Sequence, residues 1–326
     1  MVPFDVNNIF SVSPQNFAEM ALELFQWQHQ ENKVYRQWCN LMGVQAHHIE
    51  TLEQIPSLPV GFFKSHTITT TDFPLTQFFE SSGTTQTTNS RHWVKDLDLY
   101  RKSFFKGFEL FYGNPKEWSV IGLLPAYLER QHSSLVMMVD ELIKASHQPS
   151  SGFYLYDHAA LQETLRKNEA AMQPTLLIGV TFALLDFAEA YPQQLKHTVV
   201  METGGMKGKR REMTRGELHG QLCEQLGVGK IHSEYGMTEL LSQAYSLGDG
   251  IYRCPPWMKV LVRDETDPVL IKTSGRGIIN IIDLANADSC AFIATDDMGM
   301  VYEDGSFEVW GRMDNADIRG CSLMTS

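Results

Sequence analysis

Positive charge is in short supply: 27 Lys and Arg stand against 39 Asp and Glu, a formal net charge of −12 over 326 residues. Holding a nucleic-acid backbone takes clustered cations, so this balance argues against a nucleic-acid partner. A small anion met by local donors stays open. Cysteine is scarce too. The five cysteines, at 39, 223, 254, 290 and 321, are odd in number, far apart and include no C-x-x-C pair. That argues against a disulfide framework or a zinc site and fits a reducing, cytoplasmic setting. Long apolar runs are missing as well. The longest, Leu176 to Leu185, carries Gly179 and Thr181 and stops at Asp186, too short to span a bilayer. The opening MVPFDVNNIF has no basic stretch and no apolar core, so no signal peptide is expected. Internal repeats and low-complexity linkers are also absent.

What is present suffices for a sizeable core: 43% of residues are hydrophobic and 20% charged. Ser13-Pro14 is a cap followed by a proline at a helix start, and Phe17, Met20, Ala21, Leu24 and Phe25 then recur on one helical face. Pro56 and Pro59 hold the stretch 55–60 extended. From residue 77 the pattern predicts strands over 77–80, 120–124, 175–180, 197–201 and 230–233, interleaved with helices over 97–111, 133–145, 181–190 and 212–226. Such interleaving implies an α/β fold whose mostly parallel sheet has helices on its faces. After Trp257 short strands with polar turns replace the helices, at 258–263, 269–273, 277–282, 291–295 and 306–309. The expected division is an α/β core over 1–256, a β-rich subdomain over 257–310, and a hinge and tail over 311–326.

Four clusters can carry chemistry. Ser81-Ser82-Gly83-Thr84-Thr85 follows a strand and offers successive N–H groups and hydroxyls to phosphate oxygens, although an ordinary hydroxyl-rich turn reads the same way. Glu234-Tyr235-Gly236-Met237-Thr238-Glu239 follows the strand 230–233, and the carboxyl ends of strands are where open α/β sheets bind ligands. There Tyr235 can stack on a purine, Thr238 bond a phosphate and Glu239 hold Mg²⁺; the alternative is a core tyrosine beside a helix-capping threonine. Asp297, in Thr295-Asp296-Asp297, can bridge ribose hydroxyls or be a turn acid. Arg312, in Gly311-Arg312-Met313-Asp314, can reach a nucleotide or form a surface ion pair worth little.

The order of these clusters resembles the adenylate-forming superfamily of acyl-activating enzymes. A narrower resemblance covers nearly the whole chain, to the LuxE-type acyl-protein synthetases of fatty-acid reductase systems. It rests on IPSLPVGFFKS (55–65), ESSGTTQTTNSRHWVKD (80–96), LLPAYLERQHSSLVMMVD (123–140), GVTFALLDFAEA (179–190), ETGGMKGKRREMTR (202–215), EYGMTEL (234–240) and RGCSL (319–323). The resemblance implies that ATP and Mg²⁺ convert a fatty or other carboxylic acid to an acyl-adenylate. The acyl group then passes to an enzyme cysteine and on to an acyl-reductase or carrier-protein partner. Carried over, Ser81, Ser82, Gly83, Thr84 and Thr85 hold the ATP β,γ-phosphates, while Gly204 and Gly205 line the adenine and acyl pocket. Tyr235, with Gly236 beside it, stacks on adenine. Thr238 meets the α-phosphate, Glu239 binds Mg²⁺, Asp297 takes the ribose hydroxyls and Arg312 meets the nucleotide. Pro125 and Tyr127 correspond to the acyl-pocket segment.

Three positions depart from the superfamily pattern. Gln86 stands where glycine is usual, and Arg91 is the nearest cation to an expected lysine. The large C-terminal domain, which normally carries a catalytic lysine, is expected to be missing after Asp314, with Lys207, Lys209 or Arg210 offered as an electrostatic substitute. Cys321, in Arg319-Gly320-Cys321-Ser322, matches the cysteine that the resemblance makes the acyl carrier, and Arg319 favours its thiolate. Cys39, Cys223, Cys254 and Cys290 read as inert. Two other functions fit the same residues: an acyltransferase that accepts a ready-made thioester, and a non-catalytic binding subunit with this fold.

Overall fold

The computed structural model describes residues 4–81, 89–125, 131–204 and 213–312. Its α-helices are Phe17–Glu31 (α1), Lys33–Leu41 (α2), Phe62–Ser65 (α3), Leu97–Tyr112 (α4), Ser134–Ser146 (α5), His158–Ala170 (α6), Thr181–Ala190 (α7) and Arg215–Leu226 (α8). The strands up to the middle of the chain are Leu58–Pro59 (β1), Phe78–Glu80 (β2), Arg91–Trp93 (β3), Ser119–Leu123 (β4), Gly152–Phe153 (β5), Thr175–Gly179 (β6) and Thr198–Glu202 (β7). Those beyond are His232–Tyr235 (β8), Ala244–Ser246 (β9), Tyr252–Arg253 (β10), Met258–Arg263 (β11), Ile271–Lys272 (β12), Gly275–Asp283 (β13), Phe292–Val301 (β14) and Phe307–Arg312 (β15). They form two compact units. One comprises the described residues of 78–89 and 96–255, the other those of 4–77, 90–95 and 256–312.

In the unit 78–89 and 96–255 the strand order is β5-β4-β6-β7-β8-β9-β10. The first five run parallel, and β9 and β10 are antiparallel additions. Parallel neighbours need crossovers long enough for a helix, and α5 to α8 supply them. Every residue of β4 and β6 is buried, as in strands covered on both faces. One face packs Leu161, Leu165, Leu184, Phe187, Leu222 and Leu226 from α6, α7 and α8. Buried residues of α4 and α5, among them Tyr100, Phe104, Phe108 and Met138, cover the other. Gly179 closes β6 where a Cβ would lie 2.9 Å from Leu123 Cβ and 3.2 Å from the Leu123 carbonyl oxygen, a space only glycine fits.

The other unit is an antiparallel sheet in the order β12-β11-β13-β14-β15, with β1 pairing in parallel with β14. The helix expected after Ser13-Pro14 begins at Phe17, and its apolar face carries Phe25 onto Tyr35 and Phe292. One turn on, buried Gln28 does what an apolar residue cannot. Its amide donates to the carbonyls of Asn286, Ala287 and Ser289 and accepts from the Ala291 N–H at 2.9 Å, satisfying the connection between β13 and β14.

The fold is α/β with a mixed sheet: the expected strands 120–124, 175–180, 197–201 and 230–233 are β4, β6, β7 and β8 of its parallel part, β5 is an addition, the expected strand 77–80 (β2) lies outside that sheet, and β9 to β15 pair antiparallel within their units. One expectation changes character. Asp296 and Asp297 lie inside β14 and not in a turn: Asp297 is paired with Arg312 of β15, and both sit where the β13–β14 register shifts between Ile278 and Asn280. Of the hinge and tail expected over 311–326, Gly311 and Arg312 end the strand β15, and residues 313–326 lie outside the described residues.

Candidate functional site

In the parallel sheet, β7 and β8 are neighbours, registered Met201 to His232 and Glu202 to Ser233. Their carboxyl ends therefore lie side by side, and the predicted residues Gly204, Tyr235, Gly236, Thr238 and Glu239 follow from them. Gly204 takes φ +75°, a conformation natural to glycine, and its carbonyl accepts from the Thr181 N–H at 2.9 Å at the start of α7. Tyr235 ends β8 half-buried, its hydroxyl 3.7 Å from Met237 Sδ. Thr238 and Glu239 form the turn that follows, with the Leu240 N–H donating to the Met237 carbonyl at 3.1 Å. Glu239 is buried.

Two acids in this region carry structure that the motif reading did not assign. Glu202 ends β7, and its Oε2 accepts from the Gly204 N–H at 2.7 Å and from the Thr181 hydroxyl at 3.2 Å. His219 Nε2 of α8 is 3.8 Å from Glu202 Oε1. Burial opposes ionisation of Glu202, but the nearby His219 side chain, the Gly204 N–H bond, the neighbouring Ser233 side chain and the charge of Arg215 outweigh it, so the carboxyl is held below its ordinary range. Glu234, one strand over, behaves oppositely. Burial and the negative charge of Glu202 push it up to about 8. Its carboxyl folds back over Gly236, where a Cβ would overlap Glu234 Oε1. A carboxylate held ionised and one held protonated thus flank the motif from adjacent strands.

The remaining predictions divide. Ser81 is half-buried just after β2, whereas Ser82, Gly83, Thr84, Thr85, Gly205, Lys207, Lys209, Arg210 and Cys321 lie outside the described residues, as does Tyr127. Arg91, Asp297 and Arg312 belong to the other unit, with Arg91 exposed at the start of β3. The β14–β15 register sets Asp297 opposite Arg312, with Arg312 Nε 3.3 Å from Asp297 Oδ1. Asp297 is buried and its N–H donates to Thr295 Oγ1 at 3.0 Å; the Arg312 side chain is half exposed. Among the described residues no group of three or more acidic, His or Cys side chains could hold a metal ion. Mg²⁺ takes only one or two protein carboxylates when substrate phosphates complete its shell, so Glu239 alone fits an ion that arrives with a nucleotide. A recess of about 400 Å³ along α4, lined by Asp98, Arg101, Lys102, Phe105, Lys106 and Glu109, is an open surface shelf that includes none of the motif residues.

The four described cysteines carry no disulfide. Burial pushes the Cys39 thiol up to about 12 and raises Cys290 and Cys223, which disfavours the reactive thiolate at each. No described helix is long and apolar enough to cross a membrane.

No protein-family model matches the sequence. Two curated relatives do. The long-chain-fatty-acid–luciferin-component ligase of Vibrio harveyi is 23% identical over 328 residues, 93% of this chain and 85% of that one. The protein of the same name from Aliivibrio fischeri is 22% identical over 357 residues, 97% of this chain and 91% of its own. Among solved structures, 2-hydroxyisobutyryl-CoA ligase with 2-HIB-AMP and CoA in the thioesterification state matches with a TM-score of 0.67 at 14% identity, over 95% of this chain and 71% of that one. ATP-bound MatB from Rhodopseudomonas palustris matches with a TM-score of 0.54 at 17% identity, over 72% of this chain; the match spans about half (47%) of MatB. The resemblance read from the motifs is therefore found again by relatives along most of the chain, and the fold is that of adenylate-forming ligases.

Proposed function

We propose that this protein uses ATP to activate a fatty or other carboxylic acid as an acyl-adenylate, moves the acyl group to Cys321, and hands it to an acyl-reductase or carrier-protein partner. The observation that carries the reading is the placement of Gly204 and of Tyr235 to Glu239 at the adjacent carboxyl ends of the parallel strands β7 and β8. In activation, a carboxylate oxygen of the acid bonds to the α-phosphorus of ATP and pyrophosphate leaves. In transfer, the Cys321 sulfur bonds to the acyl carbon, AMP leaves, and the thiol proton passes to water. By the resemblance, Tyr235 carries the adenine and Thr238 donates to the α-phosphate, and the same resemblance assigns Asp297 to the ribose hydroxyls and Arg312 to the nucleotide. On the same resemblance, Ser81 to Thr85 hold the outer phosphates, and Arg91 and Lys207 are the cations assigned to phosphate charge. Glu239 holds Mg²⁺, which when bound neutralises phosphate charge. The names of the curated relatives favour a long-chain fatty acid over a short one.

The test is incubation with ATP and labelled fatty acids from octanoic to octadecanoic. Hydroxylamine-sensitive label that requires ATP and disappears in Cys321→Ser supports the reading. Label that persists in Cys321→Ser removes the cysteine step, and label from acyl-CoA without ATP supports the acyltransferase alternative.

A further inference from the structure

The register of β8, β9 and β10 sets Ser233, Ser246 and Tyr252 in one row across three strands. Tyr235 lies two residues along β8 from Ser233 and so shares that face. Because Ser246, between them, is small, the Tyr252 ring reaches diagonally to Tyr235; the ring centroids are 5.9 Å apart and the planes 63° from parallel, an edge-to-face contact. Tyr252 is itself held from behind. The guanidinium carbon of Arg215 lies 5.5 Å from the centre of the Tyr252 ring, and Arg215 Nη2 donates to the Tyr252 hydroxyl at 3.5 Å. Two local features fix Arg215. Thr214 and Glu217 form a reciprocal capping box that sets the start of α8 at Arg215. Gly250, with φ +69°, leaves the space the arginine fills, since a Cβ there would come within 2.8 Å of Arg215 Cδ and Nη1.

We infer that Tyr252, backed by Arg215, is a positioning residue that sets the plane of the Tyr235 ring as a platform for the purine of a nucleotide. The inference rests on the functional reading above and goes beyond it in two respects. It assigns a role to Tyr252, which lies outside every quoted segment, and to Arg215, to which no role was given, and it separates purine binding from phosphate binding. Tyr252 acts through Tyr235, so its removal weakens ligands that contain adenine and spares those that do not.

The experiment is equilibrium binding of ATP, AMP and inorganic pyrophosphate to the full chain and to Tyr252→Ala and Tyr252→Phe. Tyr252→Ala is expected to weaken ATP and AMP by about 5- to 10-fold, the size of one aromatic contact, with pyrophosphate unchanged. Tyr252→Phe keeps the ring and is expected to stay within about twofold for all three ligands. Unchanged ATP and AMP binding in Tyr252→Ala overturns the inference alone, and so does a parallel loss of all three ligands, which marks a merely structural residue. If the unmodified protein binds neither ATP nor AMP, the functional reading falls and this inference with it.

Discussion

Glu202 and Gly204 are joined by a hydrogen bond of 2.7 Å from the glycine N–H to Oε2 of the acid that ends β7. The same oxygen takes the Thr181 hydroxyl, so one ionised side chain ties the start of α7 to the turn leaving β7. Replacing Glu202 by alanine strands these donors. A loss of roughly 2–3 kcal/mol in urea unfolding is expected, in line with hydrogen bonds to a buried charge. Nucleotide affinity falls with it, whereas Glu202→Gln keeps an acceptor and loses less. Equal stability of the alanine variant and the parent contradicts this role.

Glu234 makes stability depend on pH in a window that can be isolated. Its folded value of about 8 lies above its ordinary 4.5, so the stability it confers is complete below pH 4.5 and is lost as pH rises through 8. His232 works the other way. Burial and Lys230 push it down to about 4, so its contribution is full above pH 6.5 and is lost as pH falls through 4. From pH 6.5 to about 8 the Glu234 slope therefore stands clear of the His232 one. Unfolding free energy is expected to decline over that range in the parent and to flatten in Glu234→Gln. Identical slopes rule out a proton held at Glu234.

Asp297 separates folding from binding. Its ion pair with half-exposed Arg312 contributes less than about 1 kcal/mol, so Asp297→Asn is expected to unfold close to the parent. If Asp297 takes the ribose hydroxyls, the same variant loses bonds to a charged acceptor, and the KM for ATP rises about 10-fold or more with little change in kcat. A KM at the parental value removes Asp297 from the nucleotide site.

Cys39 and Cys290 are buried, and burial holds both thiols protonated. Iodoacetamide at neutral pH is therefore expected to leave them unmodified in the native protein and to label them only after unfolding, as read by peptide mass mapping. Native labelling at either position contradicts their packing. The same map reports whether Cys321 reacts first, as an acyl-carrying thiolate requires.

Much of this molecule is legible in its sequence. β11 falls on the expected residues Met258 to Arg263, and α4 differs from expectation by one residue at its C-terminal end, because apolar periodicity and cap residues mark these elements unambiguously. The helices α2, α3 and α6 have no counterpart among the expected elements. α6 buries little apolar surface beyond Leu161 and Leu165, four apart, too faint a stripe to stand out, and β9 and β10 are three and two residues long. Tyr235, Gly236, Thr238 and Glu239 announce themselves by spacing. Glu202, Glu234, Arg215 and Tyr252 do not, because their importance comes from strand register and burial that no local pattern records. Gln28 is the same lesson in the core: it sits on the apolar face predicted for α1, yet it is kept for its bonds to the connection between β13 and β14.

Acid-dependent exchange of labelled pyrophosphate into ATP is the most direct measurement of the central claim, since it reports adenylate formation without needing the cysteine or the partner. Tested with octanoic to octadecanoic acids, the protein is expected to catalyse exchange that requires Mg²⁺ and a fatty acid and is lost in Tyr235→Ala. No exchange with any acid, from a protein that is folded and binds ATP, would contradict acid activation.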